Sequence, residues 1–205
     1  MSPRAVVFDI GNVLIRWDPD QVYGDLMDAD QLRRFHAETR MHDVNADIDR
    51  GAPWQASVEA AAQRLPEWAD MIRLWYTDWH RMASPAIDGS VALLRALRRK
   101  GVPVFALSNF GVETFADAQT RYAFLEEFDQ RFLSGHLGVN KPEPAIYAAL
   151  EAATGLSGRD LLFIDDLSQN IAGAEARGWR GHLFEGPAGL AQELVSLGLL
   201  AEDDI

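Results

Sequence analysis

Three short apolar runs in this chain are each followed at once by side chains that can do chemistry. The runs are continuous rather than alternating, which is typical of strands buried on both faces. They and the polar residues after them are residues 5–8 with Asp9, residues 104–107 with Ser108 and Asn109, and residues 161–164 with Asp165 and Asp166. Ligands of an open parallel sheet bind at the carboxyl ends of its strands. We therefore expect these polar residues to converge on one site.

The three acids of this set predict a metal site. Carboxylates crowded at one sheet edge repel and desolvate one another unless a cation or shared protons intervene. Oxygen ligands without His or Cys suit a hard ion, above all Mg²⁺. A carboxylate beside Mg²⁺ can remain ionised and attack phosphorus, forming an aspartyl-phosphate that water later hydrolyses.

A phosphoryl group would also need positive charge and hydrogen-bond donors. Lys141 lies just before a predicted helix and can supply a point charge. Ser108 and the amide of Asn109 can donate hydrogen bonds to the phosphoryl oxygens. The residues after the predicted strands therefore favour phosphoryl transfer at this edge.

The elements that position these residues predict a doubly wound α/β fold. A fourth, weaker strand is predicted at residues 182–184, and helical periodicity covers residues 90–100, 144–154 and 168–177. Helices that alternate with buried strands predict a parallel sheet with right-handed crossovers.

Residues 17–84 differ from the rest of the chain. They contain no comparable buried-strand run and hold five of the six Trp residues. Helices are predicted at residues 20–28, 30–40, 53–64 and 66–81. An all-helical insertion of this length after the first strand indicates a small cap rather than a long loop. The predicted domains are a core of residues 1–16 and 85–205 and a cap of residues 17–84.

Composition limits the partners and the compartment. The chain has 205 residues and a formal net charge of −12, which disfavours nucleic acids and anionic membranes as partners. It has no Cys, which excludes disulfides, thiolate zinc sites and Cys nucleophiles and favours a reducing compartment. No apolar run is typical of a signal peptide or a membrane span, so we expect a soluble, cytoplasmic protein. The sequence leaves the oligomeric state open.

The order of the motifs resembles the haloacid dehalogenase-like hydrolase superfamily. The four matching segments are Phe8-Asp9-Ile10-Gly11-Asn12-Val13-Leu14, Leu107-Ser108-Asn109, Lys141-Pro142-Glu143-Pro144 and Phe163-Ile164-Asp165-Asp166. The helical insertion between the first two is similar to a type 1 cap of that family. The resemblance implies a Rossmann-like core, and the Asp-x-Gly-Asn-Val pattern looks similar to a bacterial subgroup that includes sugar-phosphate phosphatases.

The resemblance also implies a role for individual residues. Asp9 would be the covalent nucleophile, Ser108 would bind the transferring group and Lys141 would stabilise it. Mg²⁺ would be held by Asp9, Asp166 and the carbonyl of Gly11, with Asp165 acting as a ligand or through water. Asn170 stands where the family often has an acid. Expected contacts to phosphate or substrate are Gly11, Asn12, Trp17, His42, Asp43, Asn45 and Asn109.

One position departs from the family pattern. Most phosphatases of this family have a second Asp two residues after the nucleophile, which protonates the leaving alkoxide and later activates water. This chain has Gly11 there, and general acid-base help is typically worth a factor of 10² to 10⁴. Candidate substitutes near the ends of the predicted cap are Asp18, His42 and Asp43.

The leading prediction is a Mg²⁺-dependent phosphomonoesterase that acts on a small soluble phosphate such as a sugar phosphate, with the cap closing over it. A metal-independent 2-haloacid dehalogenase, in which Asp9 attacks carbon, is disfavoured because the pair Asp165-Asp166 makes sense with a cation and is a burden without one. A phosphate-binding or regulatory protein that has lost turnover is the third possibility, supported by Gly11 and Asn170. A receiver-type signalling domain is disfavoured because its paired acids usually follow the first strand.

Overall fold

The computed structural model describes residues 2–204 as an α/β fold. Its strands are β1 Ala5–Phe8, β2 Ile15–Trp17, β3 Ala83–Ala86, β4 Val104–Ser108, β5 Gln130–Leu133, β6 Leu161–Asp165 and β7 Arg180–Leu183. Its α-helices are α1 Asp20–Tyr23, α2 Ala29–Thr39, α3 Met41–Asp49, α4 Trp54–Arg64, α5 Ala69–Thr77, α6 Trp79–Met82, α7 Asp88–Arg99, α8 Val112–Arg121, α9 Ser134–Leu137, α10 Pro144–Thr154, α11 Ser168–Glu175 and α12 Pro187–Ser196. Short 3₁₀ segments cover Pro66–Trp68, Ala123–Glu126, Gly158–Asp160 and Glu202–Asp204. Across residues 2–204, none of the helices combines the length and apolarity that a membrane crossing requires.

Five of the strands form one parallel sheet in the order β5-β4-β1-β6-β7. The central strand β1 pairs with β4 on one side and with β6 on the other, so that Val7 lies opposite both Phe105 and Phe163. Ser108 and Asp165 are the last residues of β4 and β6, and Asp9 directly follows β1. The predicted Rossmann-like sheet is confirmed, and its strand order brings the three predicted motif ends side by side.

Both faces of the sheet are covered, which explains the continuous apolar runs. Alternate residues of each central strand enter two separate hydrophobic clusters, as Val6 and Val7 do in β1. Helices α7, α8 and α12 contribute to the first cluster, and α10 and α11 contribute to the second. The strands are therefore fixed from both sides, and the ends of β1, β4 and β6 form a rigid edge.

The outer strands match the sequence prediction less well. The edge strand β5 is absent from the prediction because Gln130 and Arg131 are exposed and only its last two residues are buried. Strand β7 begins and ends earlier than the predicted residues 182–184, although the N–H of Phe184 still donates to the carbonyl of Asp165 at 2.9 Å. Partial burial at an edge removes the apolar signal on which the prediction depends.

The insertion after β1 is helical, as predicted, but a two-stranded antiparallel ribbon frames it. Strand β2 precedes the helices and pairs with β3, which follows them. The ribbon is too short and too polar to be predicted from the sequence. It brings the two ends of the insertion together beside the carboxyl end of β1.

The helices within the insertion depart from the predicted bounds at three places. The predicted helix 20–28 ends at Tyr23, where Gly24 follows, and the predicted helix 66–81 is divided into a 3₁₀ segment, α5 and α6. Helix α3 was not predicted at all, because Met41 and Ile48 are its only buried residues. Val44 is only partly buried, most of the other residues are polar, and one side of the helix faces the site described next.

Candidate active site

Three donor groups surround one carboxylate oxygen of Asp9. Its Oδ1 accepts from the N–H of Ile10 at 2.7 Å and from Oγ of Ser108 at 2.6 Å, and it lies 2.8 Å from Nζ of Lys141. Within the described residues, Oδ2 accepts no hydrogen bond. Burial raises the pKa of Asp9 to about 7, and the nearby Asp165 adds to the effect, while Lys141 and Ser108 oppose it. The site therefore lacks sufficient positive charge to ionise Asp9 fully by itself.

Lys141 is the only cation that this buried cluster contains among the described residues. Its side chain is fully buried, and Nζ lies 2.6 Å from Oδ2 of Asp165 in addition to its contact with Asp9. Burial alone would lower the pKa of Lys141, but the two carboxylates raise it above its ordinary value. The ammonium group therefore stays charged.

Asn109 fixes the backbone at Lys141. Its Nδ2 donates to the carbonyl of Lys141 at 3.1 Å, and its Oδ1 accepts from the N–H of Lys141 at 2.6 Å. Both polar atoms of the Asn109 side chain thus bond to the backbone of Lys141. Asn109 therefore positions Lys141 in addition to lining the cavity.

The adjacent acids Asp165 and Asp166 have different surroundings. Asp165 is fully buried and accepts from Lys141, from the N–H of Leu167 at 2.8 Å and from Nδ2 of Asn170 at 3.0 Å and 3.1 Å. Asp166 is half-buried and accepts from Nδ2 of Asn12 at 3.1 Å. Burial, followed by the charge of Asp165, raises the pKa of Asp166. Asp165 thus holds Lys141 in place, whereas Asp166 faces open space.

The loop after Asp9 is shaped by Asn12. Its φ of 53° lies in the left-handed region, which Asn tolerates better than most residues. Its Oδ1 accepts from the N–H of Trp17 at 2.9 Å, while its Nδ2 reaches Asp166. Asn12 therefore ties the nucleophile loop both to the start of the insertion and to the acid after β6.

A cavity of about 450 Å³ opens over these residues. The buried polar residues form one part of its lining, and apolar side chains form another: Ile15, Trp17, Trp79 and Phe110. Helix α3 contributes a third part, made of His42, Asn45 and Asp49. The volume is in the range of small-molecule sites.

Most of the predicted site residues lie around this cavity. Those in its lining are Asp9, Gly11, Asn12, Trp17, His42, Asn45, Ser108, Asn109, Lys141, Asp166 and Asn170. Asp165 lies beneath the lining, bound to Lys141. Asp43 lies outside the lining, where it is exposed and pairs with Arg40 at 2.6 Å. Asp18, the other distant candidate acid, is also outside the lining.

Asp49 is the residue that the sequence prediction missed. It stands four residues after Asn45 and seven after His42, so the three share one face of a helix. The apolar spacing of Met41, Val44 and Ile48 was the available signal for that helix. Burial raises the pKa of Asp49 to about 8, the charge of Asp9 adds to this, and a backbone hydrogen bond from Gly111 and the charge of Lys141 oppose it.

The arrangement fits a divalent cation. Asp9, Asp165 and Asp166 each place one carboxylate oxygen within 4.8 Å of the others. A single lysine accompanies these three acids, and the pKa values of Asp9 and Asp166 are raised. Oxygen donors with unmet negative charge are the set that Mg²⁺ prefers.

The comparisons with known proteins agree with this geometry. A sequence profile of the haloacid dehalogenase-like hydrolases matches residues 3–178. This chain belongs to that family. It is therefore an enzyme of the hydrolase class, as the order of its motifs predicts.

Three relatives of this haloacid dehalogenase-like hydrolase illustrate the range of the family. A phosphatase of Mycobacterium tuberculosis (strain CDC 1551 / Oshkosh) is 30% identical, and the match covers 98% of each chain. Haloacetate dehalogenase H-2 of Moraxella sp. (strain B) is 32% identical over 60% of this chain and 49% of its own length. A HAD family enzyme from Bacteroides thetaiotaomicron shares the fold with a TM-score of 0.73 at 19% identity, covering 91% of this chain and 95% of that chain.

Proposed function

We propose that this hydrolase is a Mg²⁺-dependent phosphomonoesterase that forms an aspartyl-phosphate on Asp9. The observation that carries the proposal is the asymmetry of the Asp9 carboxylate. Oδ1 is bound by Ile10, Ser108 and Lys141, which leaves Oδ2 as the atom available to attack. A carboxylate oriented in this way is prepared for nucleophilic catalysis.

Asp9 would act in two steps. Its Oδ2 attacks the phosphorus of a phosphate monoester, a bond from Oδ2 to phosphorus forms, and the bond from phosphorus to the ester oxygen breaks. Water then attacks the same phosphorus, which releases inorganic phosphate and restores the carboxylate. The buried ammonium of Lys141 and the hydroxyl of Ser108 lie beside the reacting carboxylate, where charge builds up on the phosphoryl oxygens.

The residues suited to hold Mg²⁺ are Asp9, Asp166 and the carbonyl of Gly11, with Asp165 held back by Lys141. When bound, the ion would neutralise the acids and stabilise negative charge on the phosphoryl group. Two further observations support this choice. The Mycobacterium relative is named a phosphatase, and the Bacteroides enzyme has been solved in complex with magnesium and inorganic phosphate.

Dehalogenation by the same Asp9 is the competing reaction, and a relative of that activity exists. Asp166 argues against it here. An acid that faces the cavity beside the nucleophile repels the carboxylate of a haloacid unless a cation is present.

The cavity also bears on the ester. About 450 Å³ accommodates a small metabolite, and its wall combines aromatic faces with His42 and Asn45. We retain a sugar phosphate or a related small phosphate as the proposed substrate class.

A panel of phosphorylated metabolites tests the proposal. Purified protein is assayed for phosphate release with Mg²⁺ and with EDTA, beside Asp9→Asn and the control Asp47→Asn, which changes an exposed acid on α3. We expect turnover that requires Mg²⁺, survives in Asp47→Asn and is lost in folded Asp9→Asn. Activity that persists in Asp9→Asn contradicts the covalent mechanism, and halide release from 2-chloropropionate without metal supports dehalogenation instead.

A further inference from the structure

The proposed reaction needs a proton donor that the first motif does not provide. An alcohol leaves phosphorus readily only when its oxygen is protonated as the bond breaks. Gly11 carries no side chain, so the proton must come from another residue that faces the cavity. Besides Asp9, Lys141 and Asp166, the titratable or charged groups in its lining are Arg16, His42 and Asp49.

Two of these three are unsuited to the task. A guanidinium group does not serve as a proton donor of this kind in proteins, which sets Arg16 aside. Burial, followed by the charge of the neighbouring His36, lowers the pKa of His42 and so disfavours the protonated ring that could donate. Asp49 is the remaining candidate.

Asp49 is fixed in position by several contacts. Nδ2 of Asn45 donates to Oδ2 of Asp49 at 2.8 Å, and the indole N–H of the buried Trp75 donates to Oδ1 of Asn45 at 3.0 Å. Because an indole N–H can only donate, it sets the orientation of the Asn45 amide and directs the NH₂ group toward Asp49. The carboxyl group is thus held by a chain of contacts that begins in the hydrophobic core.

The backbone of Asp49 is attached to the parallel-sheet domain. The hydroxyl of Ser134 donates to the carbonyl of Asp49, and Nδ2 of Asn140 donates to the carbonyl of Ala46 at 2.9 Å. At Gly111 the two parts come so close that a Cβ there would lie 2.8 Å from the carbonyl of Ile48. These contacts fix the end of α3 more firmly than a surface loop would be fixed.

The surroundings of Asp49 favour its neutral form. Asp49 lines the cavity, where burial is the largest influence and the charge of Asp9 acts in the same direction, whereas Lys141 and the hydrogen bonds from Asn45 and Gly111 act in the opposite direction. A neutral carboxyl group can accept the hydrogen bonds from Asn45 and Gly111 and still has one O–H to donate. These are the properties of a general acid.

We propose that Asp49 is the general acid and base of this enzyme. In the first step its O–H gives a proton to the ester oxygen while the phosphorus–oxygen bond breaks, so that a neutral alcohol leaves. In the second step the resulting carboxylate takes a proton from the water that attacks phosphorus. This assignment rests on the proposed phosphomonoesterase function.

Two esters that differ in their need for a proton test the assignment. p-Nitrophenyl phosphate releases a phenolate that leaves without protonation, whereas p-nitrobenzyl phosphate has a similar shape and releases an alcohol. The first turnover of each is measured by rapid quench with Mg²⁺ in wild type, in Asp49→Asn and in the control Asp47→Asn. Circular dichroism checks the fold of each variant.

We expect Asp49→Asn to slow the first turnover of the benzyl ester by about 10²- to 10⁴-fold and that of the nitrophenyl ester by no more than a few-fold. The wild-type rate with the benzyl ester should also fall on the alkaline side, and Asp49→Asn should lack this limb. Equal losses with both esters, or no loss, contradict the role of Asp49 while leaving the phosphatase function intact. Wild-type protein that cleaves neither ester contradicts both.

Discussion

Asn109 binds the backbone of Lys141 through both ends of its amide, with Nδ2 on the carbonyl at 3.1 Å and Oδ1 on the N–H at 2.6 Å. The pair joins the loop after β4 to the segment before α10. These two hydrogen bonds fix the backbone of Lys141 and so position its side chain between the acids. The hydrogen bonds of Asn109 thus position Lys141, whereas the sequence predicts a contact of Asn109 with phosphate.

Replacing Asn109 by Asp tests whether Asn109 positions Lys141. A carboxylate keeps the acceptor for the N–H of Lys141 but places a second acceptor against its carbonyl. We expect a loss of stability of about 1–3 kcal/mol and a fall in kcat larger than the change in KM, because the lysine is displaced from Asp9. Urea denaturation and steady-state kinetics measure the two effects, and an unchanged kcat would show that Asn109 is not needed to place the lysine.

Removing the buried cation should be more damaging. Lys141→Met leaves Asp9 and Asp165 without the ammonium that lies within 2.8 Å and 2.6 Å of them. Breaking a buried ion pair from one side typically costs about 3–5 kcal/mol. We expect a loss of that size in the free energy of unfolding by urea without metal, compared with Lys100→Met, which removes an exposed ion pair with Asp204. A loss of less than ~1 kcal/mol would contradict a stabilising role of the buried ammonium.

Magnesium should stabilise the fold even when no substrate is present. A ligand that binds only the native state raises the unfolding free energy, by about 2.7 kcal/mol at one hundred times its Kd. We expect Mg²⁺ to raise Tm in wild type and in Asp47→Asn, and to have a much smaller effect in Asp166→Asn. Thermal scans with Mg²⁺ and with EDTA check this without any assay of turnover. A full Mg²⁺ response in Asp166→Asn would remove that residue from the metal site.

The raised pKa of Asp49 has a consequence for stability. Its folded pKa of about 8 exceeds the ordinary 3.8, so the unfolded chain releases its proton first as pH rises. The contribution to the free energy of unfolding is full below pH ~4 and is lost progressively toward pH ~8. Asp49→Asn cannot ionise, so its Tm should fall less than that of wild type over this window.

The size of this difference is measurable. One pKa unit corresponds to ~1.4 kcal/mol, and ~1 kcal/mol moves Tm by about 2–4 °C for a chain of this length. We therefore expect a gap of at least a few degrees to open between pH 5 and pH 8, with Asp47→Asn following wild type. If Tm falls with pH equally in wild type and in Asp49→Asn, the pKa of Asp49 is not raised in the folded protein.

An acid introduced at Gly11 should replace Asp49. A Cβ at Gly11 meets only Cβ of Trp17, at 4.0 Å, and the backbone there has no positive φ, so the position accepts a Cβ without a clash. We expect the double variant Gly11→Asp/Asp49→Asn to recover a large part of the first-turnover rate with p-nitrobenzyl phosphate that Asp49→Asn loses. A double variant as slow as Asp49→Asn alone would contradict the view that the lost function is a proton.

The parts of the fold that the sequence predicts best are those buried on both sides. Strands β1, β4 and β6 are predicted within one residue of their ends, because full burial demands continuous apolar runs. The polar residues after them were predicted to converge, and the strand order places them together. Strand β5 could not be predicted, since half of it is exposed at the sheet edge.

The missing part of the candidate site has a related cause. Part of the polar face of helix α3 lines the cavity, so polar residues in this segment do not mark it as a loop. The apolar spacing of Met41, Val44 and Ile48 indicates a helix, but it does not show that Asp49 lines a cavity while Asp47, two residues earlier, is exposed. The contacts of Asp49 with Ser134 and Gly111, which are far away in the sequence, make that distinction.

In the proposed mechanism, helix α3 both contacts the substrate and supplies the proton donor. His42 and Asn45 line the cavity, and the side chain of Asn45 also donates a hydrogen bond to Asp49. A change at position 45 that admits a new ester therefore disturbs the acid as well. Substrate range and proton transfer are therefore coupled through one side chain, and a variant of Asn45 with a new substrate preference can be given a replacement acid at Gly11, where a Cβ fits.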